Sequence, residues 1–170
     1  MVVSEETLLS NPSSPADQGR FTSHGERFQS AMDPINRHQQ GAHYTRENAL
    51  SRVIQPTIVA PYLVKIKAAR TLADLRKILT EVRNHRVLDP SCGSGNFLFA
   101  AFRSLRNLED AVILRIREHG VDTDVPQVGL HQLYGIDCDQ AALHVAKTVL
   151  LSAHATHGGL QSAPFLTCGD

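Results

Sequence analysis

Arg86-Val87-Leu88-Asp89-Pro90-Ser91-Cys92-Gly93-Ser94-Gly95-Asn96-Phe97-Leu98 is the stretch that decides the fold. Its first four residues read as a short buried strand, which Pro90 ends because it has no N–H to give to a ladder. Ser91 to Gly95 must be a tight loop, since two glycines so close together disfavour any regular element. From Asn96 the apolar positions Phe97, Leu98, Ala101, Phe102, Leu105, Leu108, Val112, Ile113 and Ile116 follow helical spacing, and Gly120 stops them. Beyond a loop over 121–131, Leu133-Tyr134-Gly135-Ile136-Asp137 reads as a second strand. Ala141 to about His154 reads as a second long helix, and Pro164-Phe165-Leu166-Thr167 as the opening of a third strand. Strands and helices that alternate at this spacing predict an α/β domain, a parallel sheet with right-handed crossovers.

Upstream the pattern is helical. Thr71 and Asp74 have the spacing of a capping box, and Leu72, Leu75, Ile78, Leu79 and Val82 behind them repeat as one helix face. An earlier helical stretch follows Thr45 as its N-cap, carries Leu50, Val53 and Ile54 on one face, and is punctuated by Pro56 and Pro61. Residues 21–40 are polar, with scattered Phe21, Phe28, Met32 and Ile35, a short helix at most. Residues 1–20, rich in Ser, Pro, Asn and Asp, read as a flexible lead-in. The expected organisation is therefore a lead-in over 1–20, a helical connector over 21–85, and a sheet domain over 86–170.

Composition narrows the class. A chain of 170 residues, 42% hydrophobic, is long enough for one packed domain and short for two. It has no run near the eighteen or so apolar residues of a membrane span, and its first residues lack the basic flank of a secretion signal. Cys92, Cys138 and Cys168 form no CxxC pair, which favours buried thiols in a reducing cytoplasm over disulfides or zinc. His154 and His157, three apart, have no cysteine or carboxylate beside them, so no metal site is expected. The zero net charge hides an uneven distribution. Residues 51–86 carry Arg52, Lys65, Lys67, Arg70, Arg76, Lys77, Arg83 and Arg86 against Asp74 and Glu81. Residues 121–170 carry aspartates against Lys147. The basic run could follow a phosphate backbone, though such runs are more often solvated faces.

A glycine loop between a strand and a helix brings backbone N–H groups and a helix N-terminus to a ligand, and the missing Cβ atoms of Gly93 and Gly95 leave room for contact. Asp137, at the end of the next strand, stands where nucleoside-binding sheets place an acid that accepts from both ribose hydroxyls. The loop lacks the third glycine of GxGxxG, and Asp89 would repel a pyrophosphate. No Gly-Lys-Ser/Thr follows, which excludes a Walker loop. A negative group at the strand end suits a cationic ligand, such as one that bears a sulfonium and an ammonium.

These residues closely resemble a known family. Asp89-Pro90-Ser91-Cys92-Gly93-Ser94-Gly95-Asn96-Phe97-Leu98 is similar to the first cofactor motif of amino-group DNA methyltransferases, in its adenine-specific form. Gly41-Ala42-His43-Tyr44-Thr45 resembles the element those enzymes place before the glycine loop. Tyr134-Gly135-Ile136-Asp137-Cys138-Asp139 resembles their second motif, and Thr167-Cys168-Gly169-Asp170 their third. The order is that of the gamma class, to which fused restriction–modification enzymes belong. Phe28 to Pro34, with Arg37 and Gly41, resembles the connector of those single-chain enzymes. The resemblance implies an incomplete Rossmann-like S-adenosylmethionine-dependent methyltransferase fold, preceded by a helical segment. It implies that Tyr44 and Thr45 hold the methionine end of S-adenosylmethionine. Asp89, Cys92, Gly93 and Gly95 would form the cofactor loop, Asp137 would take the ribose, Cys138 the adenine face, and Asp170 the adenine amino group.

One departure matters. The family's catalytic element is Asn/Asp-Pro-Pro followed by an aromatic, which holds the target amine and stacks the flipped base. Asn11-Pro12-Ser13-Ser14 and Asp33-Pro34-Ile35-Asn36 both fail at the second proline and at the aromatic, and Asp89-Pro90-Ser91 belongs to the cofactor loop. No nuclease acid cluster precedes residue 41. The expectation is thus the cofactor-binding front part of an N6-adenine DNA methyltransferase, inactive alone, with no catalytic residue of its own. A downstream polypeptide would complete the domain, and DNA would be the substrate, contacted through parts mostly absent here. An N4-cytosine enzyme and a non-catalytic cofactor-binding subunit are the rival readings. Methyltransferases acting on RNA or on a protein glutamine share a similar catalytic motif, but the GAHYT element argues against both.

Overall fold

The computed structural model describes residues 47–122, 125–157 and 163–169. The lead-in, the short helix expected over 21–40, the GAHYT element and Asp170 lie outside the described residues. The order of elements is α1 (Glu47–Ile54), a π-helical turn (Gln55–Val59), α2 (Ala60–Ala68), α3 (Leu72–Asn84), β1 (Val87–Asp89) and α4 (Asn96–Glu118). A 3-10 turn (Leu130–Gln132), β2 (Leu133–Asp137), α5 (Gln140–His157) and β3 (Phe165–Cys168) follow.

Pro56 and Pro61 do not break the first helical stretch. Pro56 can donate no hydrogen bond. The chain absorbs this in the π turn, while Thr57 Oγ1 donates to the Val53 carbonyl at 2.6 Å. The α3 capping box forms as its spacing predicts. The Asp74 amide donates to Thr71 Oγ1 at 3.1 Å, and the Thr71 amide donates to Asp74 Oδ2 at 2.9 Å. Those Thr71 contacts hold the Asp74 carboxyl below the ordinary aspartate range.

The three strands form a parallel sheet in the order β1-β2-β3, with Val87 opposite Leu133, Leu88 opposite Tyr134 and Tyr134 opposite Phe165. Each crossover advances one strand in the same direction, so right-handed connections set α4 and α5 on one face. On that face Val87 and Leu133 are buried against Leu98, Phe102 and Leu105 of α4 and Leu150 of α5, within one core that also takes Leu75, Leu79 and Val82 of α3. Among the described residues no helix covers the other face. Leu88 is 59% and Phe165 57% exposed, and Tyr134 stacks on Phe165 with ring centroids 4.9 Å apart. The strand read as buried from its sequence is therefore buried on one side only, because no described helix covers the second. Among the described residues β1 pairs with β2 alone.

At 23 residues, α4 spans about 34 Å, twice the roughly 17 Å of a five-residue strand, so its second half runs beyond the sheet onto α3. There the Glu109 carboxylate, wholly buried, accepts from Arg83 Nε at 2.7 Å and from the amides of Gln127 at 2.7 Å and Val128 at 2.8 Å. Gln132 Nε2, just before β2, donates to the carbonyls of Val82 at 3.0 Å and His85 at 2.7 Å. These bonds fasten α3, α4 and the 121–131 loop to the entry of β2.

Candidate functional site

The site lies at the carboxyl ends of β1 and β2, where the turn into α4 begins. The Cys92 amide donates to the Ile136 carbonyl at 2.9 Å, and the Gly95 amide donates to the Cys92 carbonyl at 2.8 Å. The first bond pins the loop to β2, and the second closes it into the first turn of α4. Gly93 and Gly95 both take positive φ, at 51° and 83°, a region that side chains disfavour.

The structure separates the two glycines, which the sequence reading assigned to one task. A Cβ on Gly93 would meet nothing within 4 Å, so its position faces open space. A Cβ on Gly95 would fall 2.9 Å from the Ala146 Cβ on α5. Gly95 thus lets α5 approach the loop, the helix-packing duty that a third glycine serves in dinucleotide enzymes.

Asp137 and Asp89 look onto this loop from neighbouring strands. Asp137 Oδ2 accepts the Gly93 amide at 2.7 Å, and Oδ1 accepts the Asp139 amide at 2.9 Å. A carboxylate has about four acceptor positions, so two remain for hydroxyls of a ligand. Asp89 Oδ1 accepts the Ser91 amide at 3.1 Å. Burial pushes its carboxyl above the ordinary aspartate value, and the charge of Asp137 adds to that shift. Cys92 is buried beneath the loop, and burial, with the two neighbouring aspartates, pushes its thiol up to about 12. It acts here as a small apolar wedge, not a nucleophile. Cys138, just past β2, and Cys168 are exposed, so of the three thiols expected to be buried only Cys92 is. Asp89, Cys92, Gly93, Gly95, Asp137 and Cys138 are therefore brought together, while Tyr44, Thr45 and Asp170 fall outside the described residues.

Sequence reading missed two residues. Gly135 sits inside β2, and a Cβ there would lie 2.8 Å from Cys92 Sγ, 2.8 Å from Leu166 Cδ2 and 3.0 Å from Leu98 Cδ1. A glycine inside a strand signals such close approach, so that position was legible. Asp139 is the second: its Oδ1 accepts the Ala141 amide at 2.8 Å and caps α5.

Two side chains of the basic stretch are held in ion pairs. Lys65 pairs with Glu81 and Arg83 with Glu109. Glu109 lies about 20 Å along α4 from Asn96 at 1.5 Å per residue, toward the opposite end of the sheet. A concavity of about 210 Å³, lined by Leu50, Ile54, Val59, Leu63, Ala100 and Leu108 among others, lies away from the glycine loop, between α1, the π turn, α2 and the middle of α4. No described helix is long and apolar enough to cross a membrane. Among the described residues no group of three or more His, Cys, Asp or Glu could hold a metal ion.

A family model described as the DNA-methyltransferase domain of MmeI matches residues 65–161, more than half of the chain. DNA methyltransferase A of Bacillus subtilis is 34% identical over 128 residues, covering 74% of this chain and 15% of that protein. A protein of Methanocaldococcus jannaschii described as a type II restriction enzyme and methyltransferase is 36% identical over 83 residues, 48% of this chain and 7% of its own length. The structure of the Type IIL restriction-modification enzyme MmeI in complex with DNA superposes with a TM-score of 0.76 at 27% identity, covering 86% of this chain and 22% of that one. The chain thus spans about a seventh of the first curated relative and less of the second.

Proposed function

This chain belongs to the MmeI DNA-methyltransferase domain family, and we propose that it forms the S-adenosylmethionine-binding part of a restriction–modification enzyme that methylates the N6 amine of adenine in DNA. The observation that carries the reading is the pairing of Asp137 with the Gly93 amide beside an open Cβ position. A ligand can lie against bare backbone at Gly93 while its hydroxyls reach the two acceptor positions left on Asp137.

The residues present fit that cofactor. S-adenosylmethionine supplies a methyl group made electrophilic by its sulfonium. Asp137 takes the ribose hydroxyls, and Cys138 lies against the adenine. Asp89 with Asp137 sets negative charge beside a cationic ligand, and α4 presents its first amides to the same space. Tyr44 and Thr45 complete the methionine end, and Asp170 contacts the adenine amino group. The acceptor amine needs an Asn/Asp-Pro-Pro-aromatic element, which residues 1–170 do not contain. Duplex DNA is the substrate of the whole enzyme, and a further polypeptide supplies the strand that pairs with the open edge of β1.

Calorimetry with S-adenosylmethionine on the 170-residue chain, with transfer of a labelled methyl group to DNA as a second readout, tests this. Asp137→Ala is expected to weaken binding by roughly tenfold to a hundredfold, and the chain alone is expected to transfer nothing. Unchanged affinity in the variant would remove the ribose role. Methyl incorporation into DNA would overturn the account of the missing catalytic element.

A further inference from the structure

Asp137 can serve two ribose hydroxyls only if its carboxylate is held with the right edge outward, and the structure shows what holds it. One oxygen takes the Gly93 amide from the glycine loop, the other the Asp139 amide from two residues along the same chain. The second of these donors is itself fixed from behind. Asp139 Oδ1 accepts the Ala141 amide at 2.8 Å, and its carbonyl accepts the Leu143 amide at 3.0 Å, which makes Asp139 the N-cap of α5. Both bonds hold the carbonyl and side chain of Asp139, and so its Cα, on the start of α5, and this anchor ends the short turn from Asp137 that places the Asp139 N–H.

We propose that Asp139 is a positioning residue for the Asp137 carboxylate. It acts through its backbone amide, and its side chain contributes by locking that amide onto the start of α5. The inference rests on the reading of Asp137 as the ribose acceptor and adds a cause for its orientation. Because the side chain works as a cap, its charge is dispensable and its length is not. Asparagine reproduces the cap, whereas glutamate keeps the charge and loses the geometry.

The test is a double-mutant cycle on the 170-residue chain co-produced with a polypeptide that carries further strands of the domain, with S-adenosylmethionine affinity as the readout. Asp139→Asn is expected to bind within about twofold of the parent. Asp139→Glu and Asp139→Ala are expected to bind about three- to tenfold more weakly, the loss of a cap converted to affinity. In an Asp137→Ala background the same Asp139 changes are expected to cost nothing further, since no carboxylate remains to be aimed. An equal loss in both backgrounds would show that Asp139 serves only the stability of the fold, and would overturn the proposal. So would full affinity in Asp139→Glu or a loss in Asp139→Asn, and these two comparisons stand even where the alanine variant fails to fold. If Asp137→Ala alone binds like the parent, it is the ribose reading that fails, a result distinct from either of the others.

Discussion

Asp89 and Asp137 look onto one loop from adjacent strands, yet the protein treats them differently. Asp137 receives two amides, while Asp89 receives only the Ser91 amide and is pushed toward its neutral form by burial and by its neighbour's charge. The ordinary aspartate value is about 3.9. A folded value above it means that the folded chain binds the proton more tightly than the unfolded chain does. Stability therefore falls as pH rises from the unfolded value through the raised one, and the deficit stays constant above it. Asp89→Asn removes that deficit and keeps an acceptor for the Ser91 amide. Thermal melts are expected to show a higher Tm for Asp89→Asn at pH 7 and no difference below about pH 4. If the site binds S-adenosylmethionine as proposed, the same variant is expected to bind it less tightly. A Tm lowered equally at both pH values would refute the assignment.

At the scale of elements, the strand–loop–helix unit was legible because each of its parts has a local cause. Pro90 ends β1, two glycines enforce the loop, and the apolar repeat from Phe97 sets the buried face of α4. What the sequence did not show was the division of labour between the glycines, since only the packed α5 reveals that Ala146 lies against Gly95. Their substitutions should accordingly part company. Gly95→Ala, with positive φ and a Cβ 2.9 Å from that of Ala146, should lower Tm by several degrees, about 2 kcal/mol of overpacking and strain. Gly93→Ala pays only the cost of its φ, about 1–2 kcal/mol, and its methyl group enters the ligand's space. It should therefore lose more in cofactor affinity than in stability. Melting and calorimetry on the two variants check this, and the opposite ranking would contradict the role given to each. The π turn escaped sequence reading for another reason: prolines at 56 and 61 signal a break, and only packing against α4 keeps the chain helical through it.

For the whole molecule the parallel sheet with its crossover helices followed from alternation and handedness, but the strand order and the one-sidedness of the sheet did not. A sequence that reads Val-Leu-Asp says nothing of whether Leu88 meets a helix. Here Leu88, Tyr134 and Phe165 form a row across the uncovered face, and β1 offers an unpaired edge among the described residues. Open edges beside apolar surface pair with other chains. The 170 residues expressed alone are expected to be marginal in stability and to aggregate, and to become soluble when co-produced with a polypeptide that carries further strands of the domain. A soluble monomer with a cooperative melt above about 50 °C, within the range of ordinary mesophile domains, would show that the face needs no cover.

The buried Glu109 has a consequence for how genes of this kind can be shuffled. Its nearer guanidinium partner comes from α3, its amide partners come from the loop before β2, and Gln132 reaches back to Val82 and His85. A recombination crossover between the codons for residues 84 and 87 would combine an α3 from one parent with a Glu109 and Gln132 from another. Wherever the parents differ at residue 83, the offspring would keep only Arg106, at 3.6 Å on the same helix, beside the buried carboxylate, and would lose the shorter Arg83 contact. Junctions inside the segment from α3 to β2 are therefore expected to be tolerated only between parents that share these residues.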